Sequence, residues 1–569
     1  MQKELQNSLE ANFGFTQVQK DVFRFDNLQA AGSQAKKFAF GGLLLAQALH
    51  SADETVPPQL KAHVVQSIFV SGANTTGSVE CHVQRLFDGR SFASRAVTQK
   101  QDERPTVTVQ VSYHAIEPDS CVHQSIMPVV KGPKECPEVD IDVLYMIETS
   151  EFLKNTPGPV NLEDFTPPKF REFPYNFRCV DLNALVGRVD AKANCHYIWT
   201  KFKFPIPKEA DRLHRLTLLM ISDVGISMCS YAPHYKNNFV LSQQFSINHS
   251  VHFHVTNFDA SDWILMEYES TKSKNGRSFT RGRYWNQQGE MIATVYNPLE
   301  YGLESFQAEN DVFRFTNRLA LGGQGESAGY GGLTMAQAMF AADETVPSNL
   351  KAHIVQAFMI SPVFDGRSFA TRTVKQQQED NTTLTMQVSY HAMEPDACVH
   401  QSEMPVVPSP DECVDMAAEI TSDNADGKKR CYPFHFRCTD FGALFGDFDV
   451  PPRCHYVWTK FMYPIAKDDD RMQRLALLYL SDFGLSIAGY GPHFKNNFRY
   501  SMIFSINHTV HFHATKFDAS EWILMEMEST KSKHGRIFAR AQCWNEQGEM
   551  IASVSQECLL RSRCPVSSL

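Results

Sequence analysis

The chain of 569 residues contains one long sequence twice. Residues 21–25 (DVFRF) return as residues 311–315, and residues 52–57 (ADETVP) return as residues 342–347 at the same spacing. Internal repetition constrains the architecture before any local pattern does. The sequence therefore predicts two copies of one fold, which we call copy one and copy two.

The two copies differ in length in their first half. Residues 87–91 (FDGRS) match residues 364–368, so the spacing falls from 290 (311 − 21) to 277 (364 − 87) and copy two lacks 13 residues. The missing stretch corresponds to SGANTTGSVECHV and its neighbours, which alternate like a strand with its turn. Loss of a central strand would expose a sheet edge. Either divergence after duplication or an erroneous gene model that skipped an exon explains the loss.

Each copy divides again into two parts that combine a helix with strands. In copy one, residues 40–49 (FGGLLLAQAL) predict an apolar helix, and residues 211–225 (DRLHRLTLLMISDVG) predict a second one. Strand patterns follow both helices, and one helix against one antiparallel sheet, used repeatedly, is an α+β arrangement. The predicted modules are residues 1–130, 174–303, 304–407 and 431–569, with linkers at 131–173 and 408–430.

The second predicted helix carries an acid in its last turn. Asp223 stands at the edge of an apolar stripe that includes Leu219 and Met220, and copy two repeats it as Asp482. A carboxylate against a core-facing stripe is costly unless it is paired or used. The alternative is that Asp223 only caps a following turn, with Gly225 ending the helix.

Five strings occur in the same order across each copy with few changes: FGGLLLAQAL, ADETVP, FDGRSFASR, the helix ending ISD, and FSINHSVHFH, with IASVSQE closing copy two. In this order they resemble the acyl-CoA thioesterase II family, the double-hotdog enzymes of bacteria and peroxisomes. The resemblance covers nearly the whole chain, twice. It implies two double-hotdog units, which together contain four hotdog modules. The third module is truncated by the missing residues. It also implies hydrolysis of fatty acyl-CoA to a free fatty acid and coenzyme A.

The resemblance also implies a catalytic trio of Asp, Ser or Thr, and Gln around one water, without a covalent intermediate. In copy two these positions hold Asp482, Ser505 and Gln556. A carboxylate can accept a proton from water, while a hydroxyl and an amide hold that water in line with the thioester carbonyl.

Copy one holds Asp223 and Ser246 at the same positions, but Asn297 replaces the glutamine. Asparagine is one carbon–carbon bond shorter, about 1.5 Å. A positioning error of about 1 Å can cost on the order of a hundredfold in rate, and Pro298 removes a backbone donor beside it. We therefore expect the first site to be weak or inactive unless the backbone shifts.

Other polar residues offer weaker candidates. His252 and His254 share one face of a predicted strand while His249 points the other way. No Cys or acid stands at ligand spacing, so neither a metal site nor a cofactor is expected. Three thiols lie near the predicted sites, but a catalytic thiol needs a nearby base and an electropositive setting, so no catalytic role is predicted for Cys179, Cys229 or Cys438.

Two further features can bind parts of an acyl-CoA. The basic residues that can meet the coenzyme A phosphates are Lys272, Lys274, Arg277 and Arg281, although they equally fit a solvated strand pair. Glycine pairs at the helix starts, Gly41-Gly42 and Gly331-Gly332, can offer backbone amides to the thioester oxygen or simply permit close packing. Aliphatic walls at residues 43–45 and 218–220 suit an acyl tail or the core.

Composition excludes several partners. A net charge of −10 without long Lys/Arg runs argues against nucleic acid, and no apolar stretch reaches the roughly 18 residues of a membrane span. The 14 cysteines form no CxxC, and the first residues lack a secretory core, which indicates an intracellular protein. The terminal Ser567-Ser568-Leu569 partly matches the peroxisomal S-K-L, so we expect a peroxisomal protein, or alternatively a cytoplasmic one. Further dimerisation of the chain is also expected.

Two other functions remain open. A non-catalytic acyl-CoA-binding or assembly protein would be consistent with Asn297 in copy one. A hydratase would require a His–Asp pair at a helix entry, and the sequence shows none in a matching context.

Overall fold

A computed structural model describes residues 12–29, 38–140, 143, 173–187, 195–237, 245–274, 276–300, 313–315, 331–343, 351–359, 368–370, 373–378, 381–391, 399–416, 433–446, 454–496, 498–514, 516–562 and 567–568. The chain forms two compact units. Unit 1 comprises residues 1–115, 126–307 and 394–402, and unit 2 comprises residues 116–125, 308–393 and 403–569.

Copy one supplies the strands β1 (Thr16–Gln19), β2 (Val22–Phe25), β3 (Leu60–Phe69), β4 (Val79–Asp88), β5 (Phe92–Gln101), β6 (Arg104–Ala115), β7 (Cys121–Gln124), β8 (Glu138–Val139), β9 (Tyr175–Cys179), β10 (Cys195–Phe202), β11 (Phe245–Ser246), β12 (Asn248–Phe253), β13 (Ile264–Lys274), β14 (Arg277–Asn286) and β15 (Met291–Glu300). Its α-helices are α1 (Gly41–Asp53), α2 (Leu182–Leu185), α3 (Asp211–Ile221) and α4 (Met228–Tyr231).

Copy two supplies the strands β16 (Phe313–Phe315), β17 (Lys351–Met359), β18 (Ser368–Ala370), β19 (Thr373–Gln378), β20 (Asn381–His391), β21 (His400–Gln401), β22 (Val414–Asp415), β23 (Phe434–Cys438), β24 (His455–Phe461), β25 (Tyr500–Phe512), β26 (Ile523–Lys533), β27 (Arg536–Asn545), β28 (Met550–Ser562) and β29 (Ser567–Ser568). Its α-helices are α5 (Gly331–Asp343), α6 (Phe441–Leu444), α7 (Asp470–Ser481) and α8 (Ile487–Tyr490).

Unit 1 is one antiparallel sheet with two long helices packed against each other. The strand order is β1-β2-β4-β5-β6-β3-β12-β15-β14-β13-β10-β9-β8. Pairing of β3 with β12, for example Val65 opposite Val251, joins the sheets of the two predicted modules into one. Helix α1 packs on α3 and on strands β4 to β6. This is the α+β, double-hotdog arrangement that the sequence predicts.

Helix α3 is shorter than predicted and is buried on every side over its last two turns. It ends at Ile221 with Ser222 as its C-cap, so Asp223 lies in the turn after the helix and not in its last turn. Gly225 follows in that turn at φ +75°, a left-handed backbone conformation that glycine adopts readily because it has no Cβ. The buried surface of α3 is wider than the predicted apolar stripe, because α1 packs against α3 and covers a further face of the helix.

Unit 2 repeats this sheet as β16-β18-β19-β20-β17-β25-β28-β27-β26-β24-β23-β22. Its β18 takes the place that β4 holds in unit 1, although by sequence β18 corresponds to the start of β5. The strand has three residues where β4 has ten. The loss of 13 residues is thus accommodated by a short replacement strand rather than by an open edge between β16 and β19. The deletion point itself, residues 360–367, lies outside the described ranges.

The two units exchange short segments of chain. Residues 116–125 belong to unit 2, where β7 pairs with β26 and β29, and residues 394–402 belong to unit 1, where β21 pairs with β13. The sequence-based modules 1–130 and 304–407 kept these segments with their own copies. The predicted linker at 131–173 also begins inside the sheet of unit 1, because β8 pairs with β9. Within the described ranges, no helix combines the length and apolarity that a membrane crossing requires.

Candidate active site

Three predicted side chains meet in unit 2. Ser505 Oγ donates a hydrogen bond to Asp482 Oδ1 at 3.0 Å. Gln556 Nε2 donates to the same carboxylate oxygen and lies 2.7 Å from Ser505 Oγ. The amide oxygen of Gln556 is buried and accepts no hydrogen bond from the described residues. The cluster therefore combines a carboxylate, a hydroxyl and an unused acceptor.

Local backbone features bring these side chains together. Asp482 is the C-cap of α7, and Gly484, at φ +79°, continues the turn. The pairing of β25 with β28 shifts register between Ser505 and Asn507, which marks a β-bulge at the residue between them. A bulge re-aims the side chains beside it. Here it directs Ser505 toward the turn that carries Asp482.

Unit 1 assembles the same cluster with asparagine. Ser246 Oγ donates to Asp223 Oδ1 at 3.0 Å, and Asn297 Nδ2 lies 3.2 Å from both Asp223 Oδ1 and Ser246 Oγ. Asn297 stands opposite Thr280 just as Gln556 stands opposite Ala539, so the register is the same in both units. The shorter side chain reaches its partners at longer distances and without a register shift.

Burial dominates the electrostatics of Asp223. It raises the pKa of the carboxyl from 3.8 to about 6, although hydrogen bonds from Ser246, Asn297 and the Gly42 backbone oppose the shift. The Gly42 amide at the start of α1 is therefore used by the aspartate rather than left open for a substrate oxygen. A carboxyl with a pKa near neutrality is suited to general-base catalysis.

Comparison with known protein families identifies relatives of this chain. Three family profiles match: "Acyl-CoA thioesterase N-terminal domain" at residues 30–114, "Acyl-CoA thioesterase" at residues 170–298, and "Acyl-CoA thioesterase C-terminal domain" at residues 410–560. Together they span more than half of the chain. The chain belongs to the acyl-CoA thioesterase II family.

Individual relatives of this acyl-CoA thioesterase II chain each match about half of it. Acyl-coenzyme A thioesterase 8 of Rattus norvegicus is 27% identical over 283 residues, 49% of this chain and 83% of the relative. Acyl-CoA thioesterase 2 of Haemophilus influenzae is 27% identical over 297 residues, 48% of this chain and 99% of the relative. The peroxisomal acyl-coenzyme A thioester hydrolase 1 of Saccharomyces cerevisiae is 22% identical over 325 residues, 50% of this chain and 90% of the relative. Among solved structures, an acyl-CoA thioesterase II, TesB2 of Mycobacterium marinum, has 22% identity and a TM-score of 0.40 over 52% of this chain and 99% of its own.

The glycines at the start of α1 in this thioesterase chain are required by packing. A Cβ on Gly42 would stand 2.1 Å from the carbonyl oxygen of Met220, and one on Gly41 would stand 2.6 Å from Asp223 Oδ2. Both distances lie inside van der Waals contact, so the helix start and the aspartate turn fit together only without side chains.

Replacement Gly42→Ala is expected to lower the free energy of unfolding by about 1–3 kcal/mol, because backbone has to move to relieve the contact with Met220. Chemical denaturation of the full chain measures the change. Gly132→Ala is the matched control, since the nearest atom to its Cβ is a flexible Glu135 oxygen at 3.4 Å. Equal stability of the two variants would contradict the packing argument.

The other predicted binding residues are largely engaged within the fold. Lys272 Nζ donates to Gln401 at 2.5 Å, and Arg281 pairs with Glu269 at 2.7 Å, which removes two of the four cations from a phosphate patch. The aliphatic walls at residues 43–45 and 218–220 belong to the buried core. The thiols of Cys179, Cys229 and Cys438 are buried, and burial raises the pKa of each. Such thiols are poor nucleophiles.

Histidines form pairs at the exchanged strands. In unit 2, His123 Nδ1 lies 3.0 Å from His493 Nε2, and His123 Nε2 lies 2.8 Å from Ser529 Oγ, with Cys121 close by. Unit 1 contains the equivalent series of hydrogen bonds, from His234 to His400 and from His400 to Ser270. In the part of the chain that the structure describes, Cys121, His123 and His493 are the grouping whose ligand atoms lie within 4.8 Å of one another. The rings of His123 and His493 share a hydrogen bond, which holds β7 against the segment of unit 2 that carries His493.

Proposed function

We propose that this thioesterase hydrolyses fatty acyl-CoA at the cluster of Asp482, Ser505 and Gln556. The observation that carries the proposal is the unused amide oxygen of Gln556 beside a carboxylate and a hydroxyl, all in one buried place. The carboxylate and the amide oxygen supply the acceptors that the two hydrogens of a reacting water need. The fatty acyl-CoA substrate itself follows from the family.

The cluster supports a mechanism with one water and no covalent intermediate. Asp482 takes a proton from the water as its oxygen bonds to the thioester carbonyl carbon. The tetrahedral intermediate then collapses, the carbon–sulfur bond breaks, and coenzyme A leaves as a thiolate that receives the proton from Asp482. Ser505 and Gln556 hold the water in line, and such positioning is worth several kcal/mol of the barrier.

Release of free thiol from acyl-CoA esters of increasing chain length tests the proposal. The expected result is turnover by the full-length chain that falls in Gln556→Ala to the slower rate of unit 1, while acyl-CoA still binds. Binding of acyl-CoA by the unaltered chain without any thiol release would instead support the acyl-CoA-binding alternative.

We also propose that the site of unit 1 works more slowly because Asn297 holds its partners at 3.2 Å. In a chain carrying Asp482→Asn, the further replacement Asn297→Gln is expected to raise thiol release by up to about tenfold, since the longer amide restores the geometry of unit 2. Gln556→Asn in a chain carrying Asp223→Asn is the reciprocal control and should slow the second site. A slower Asn297→Gln variant would contradict this explanation.

For the compartment we propose the peroxisome, in line with the name of the yeast relative. Co-localisation of an N-terminal fluorescent fusion with a peroxisomal matrix marker is the expected result, and a uniform cytosolic signal would contradict it. Formation of homo-oligomers stays a prediction, which light scattering on the purified chain tests.

A further inference from the structure

A buried histidine stands behind each candidate aspartate, and the mechanism above does not use it. His508 is fully buried on β25, with its Nε2 2.8 Å from Ser481 Oγ and its Nδ1 3.8 Å from Asp482 Oδ1. His249 on β12 repeats the arrangement in unit 1, at 2.7 Å from Ser222 Oγ and 3.7 Å from Asp223 Oδ1. Two independent units thus share one geometry.

The hydrogen-bond pattern fixes the tautomer of both rings. Ser481 Oγ donates to the carbonyl oxygen of Leu478 at 2.8 Å, so it can only accept from His508, and Nε2 must carry the hydrogen. Ser222 donates to Leu219 in the same way. Burial lowers the pKa of His508 and of His249 to about 3, so both rings are neutral. Each Nδ1 therefore presents a lone pair toward the aspartate, and neither Nδ1 has a hydrogen-bond partner among the described residues.

A lone pair facing a carboxylate acts differently in its two protonation states. It repels the ionised group, whereas it can accept a hydrogen bond from the carboxylic acid after a closure of about 1 Å. The interaction becomes favourable only when the aspartate has taken the proton of the water. Interactions that strengthen toward the transition state are those that raise kcat.

We propose that His508 and His249 are positioning residues that stabilise the protonated form of the catalytic aspartate while water attacks the thioester. This inference rests on the proposed function of Asp482 and Asp223. The proton passes from the water to the aspartate and then to the departing thiolate. The histidine accepts a hydrogen bond from the acid and does not itself take the proton.

The other groups that face the aspartates do not supply this effect. Ser505, Gln556 and the Cys558 thiol stand around Asp482, and burial holds the pKa of that thiol well above its usual range. Around Asp223, besides Ser246 and Asn297, stand the Tyr268 and Tyr284 hydroxyls, and burial raises the pKa of both. These groups are neutral at neutral pH, and comparison of two histidine variants tests whether a shift of the aspartate's pKa comes from the histidine.

Two replacements separate the two ring nitrogens. In a chain carrying Asp223→Asn, which isolates the site of unit 2, His508→Gln keeps a donor for Ser481 and removes the acceptor toward Asp482. We expect kcat to fall about tenfold or more with KM unchanged. The acidic limb of the pH–rate profile should move to lower pH, because loss of the lone pair lowers the pKa of Asp482. His508→Asn keeps an acceptor near the Nδ1 position, so the acidic limb of its pH–rate profile should stay at the pH of the parent chain.

A merely structural histidine would give another pattern, in which both variants lose thermal stability and the acidic limb stays in place. That pattern, or an unchanged kcat in His508→Gln, would overturn the inference. His249→Gln in a chain carrying Asp482→Asn gives an independent answer from unit 1. If the parent chain carrying Asp223→Asn hydrolyses no acyl-CoA, the proposed function of Asp482 fails. A failure confined to the histidine variants therefore remains distinguishable from it.

Discussion

Replacement of both candidate aspartates, Asp223→Asn together with Asp482→Asn, is expected to lower thiol release by about 10²–10⁴-fold. Each replacement keeps the volume and the hydrogen-bond acceptor toward Ser246 or Ser505 but removes the base that takes the proton of water. Binding of acyl-CoA should survive, because neither carboxylate is needed to hold an acyl chain or a nucleotide. Thiol release at saturating substrate and equilibrium binding of a non-hydrolysable thioether analogue measure the two properties.

The single variants assign the activity to the units. Asp482→Asn should remove most of the turnover, since Gln556 reaches its partners more closely than Asn297 does. Asp411→Asn in unit 2 is the matched control, because Asp411 is 95% exposed and its contact with Arg437 is 3.7 Å long. Hydrolysis at an undiminished rate in the double variant would refute the general-base role, whatever the binding data show.

The clusters themselves illustrate what the sequence could predict. The resemblance to the acyl-CoA thioesterase II family was enough to group Asp482 with Ser505 and Gln556, because the motifs that carry it occur in the same order in both copies. Local patterns predicted the two long helices of copy one and the strands that follow each of them. The distance between Asn297 and Asp223 could not be predicted, since it depends on how closely two strands approach the end of α3.

His249 shows why the rest could not be predicted. Residues three apart on a regular strand face opposite sides, so strand alternation alone would place His249 and Ser246 on different faces. The bulge between β11 and β12 adds one residue and brings both side chains to Asp223. One sequence signal could have indicated that the histidine and the aspartate meet. Both copies contain a Ser-Asp dipeptide followed at the same spacing by an Asn-His dipeptide.

The exchanged strands and the replacement strand escaped prediction for another reason. Pairing of β7 with β26 joins residues about 400 positions apart in the chain, and nothing in the local pattern of CVHQ selects that partner over the nearer β13. In the same way, β18 carries the sequence of a β5 start but the position of β4. Long-range partners are selected by packing, which a single sequence does not record.

In a chain that keeps only the first site, by Asp482→Asn, hydrolysis is expected to fall about tenfold for each pH unit below pH 6. Burial raises the pKa of Asp223 to about 6, and only the ionised carboxylate can take a proton from water. At pH 4 about 1% of the group is ionised, so the rate should be about a hundredfold below its plateau. Initial rates between pH 4 and pH 8 with one acyl-CoA measure the profile, and an inflection near pH 4 would contradict it.

The same shift predicts the opposite trend for stability. Because the folded state holds the proton of Asp223 more tightly than an unfolded chain with a pKa of 3.8, the contribution is fully present below about pH 4 and is lost as the pH rises through 6. Two pKa units correspond to a loss of about 3 kcal/mol. Asp223→Asn should therefore be less sensitive than the unaltered chain to a rise from pH 4.5 to pH 7.5 in denaturant unfolding. A buried general base is expected to gain activity over the pH range in which its ionisation lowers the stability of the fold. If the stability of Asp223→Asn and that of the unaltered chain depended on pH in the same way, ionisation of Asp223 would not destabilise the fold, and this prediction would be wrong.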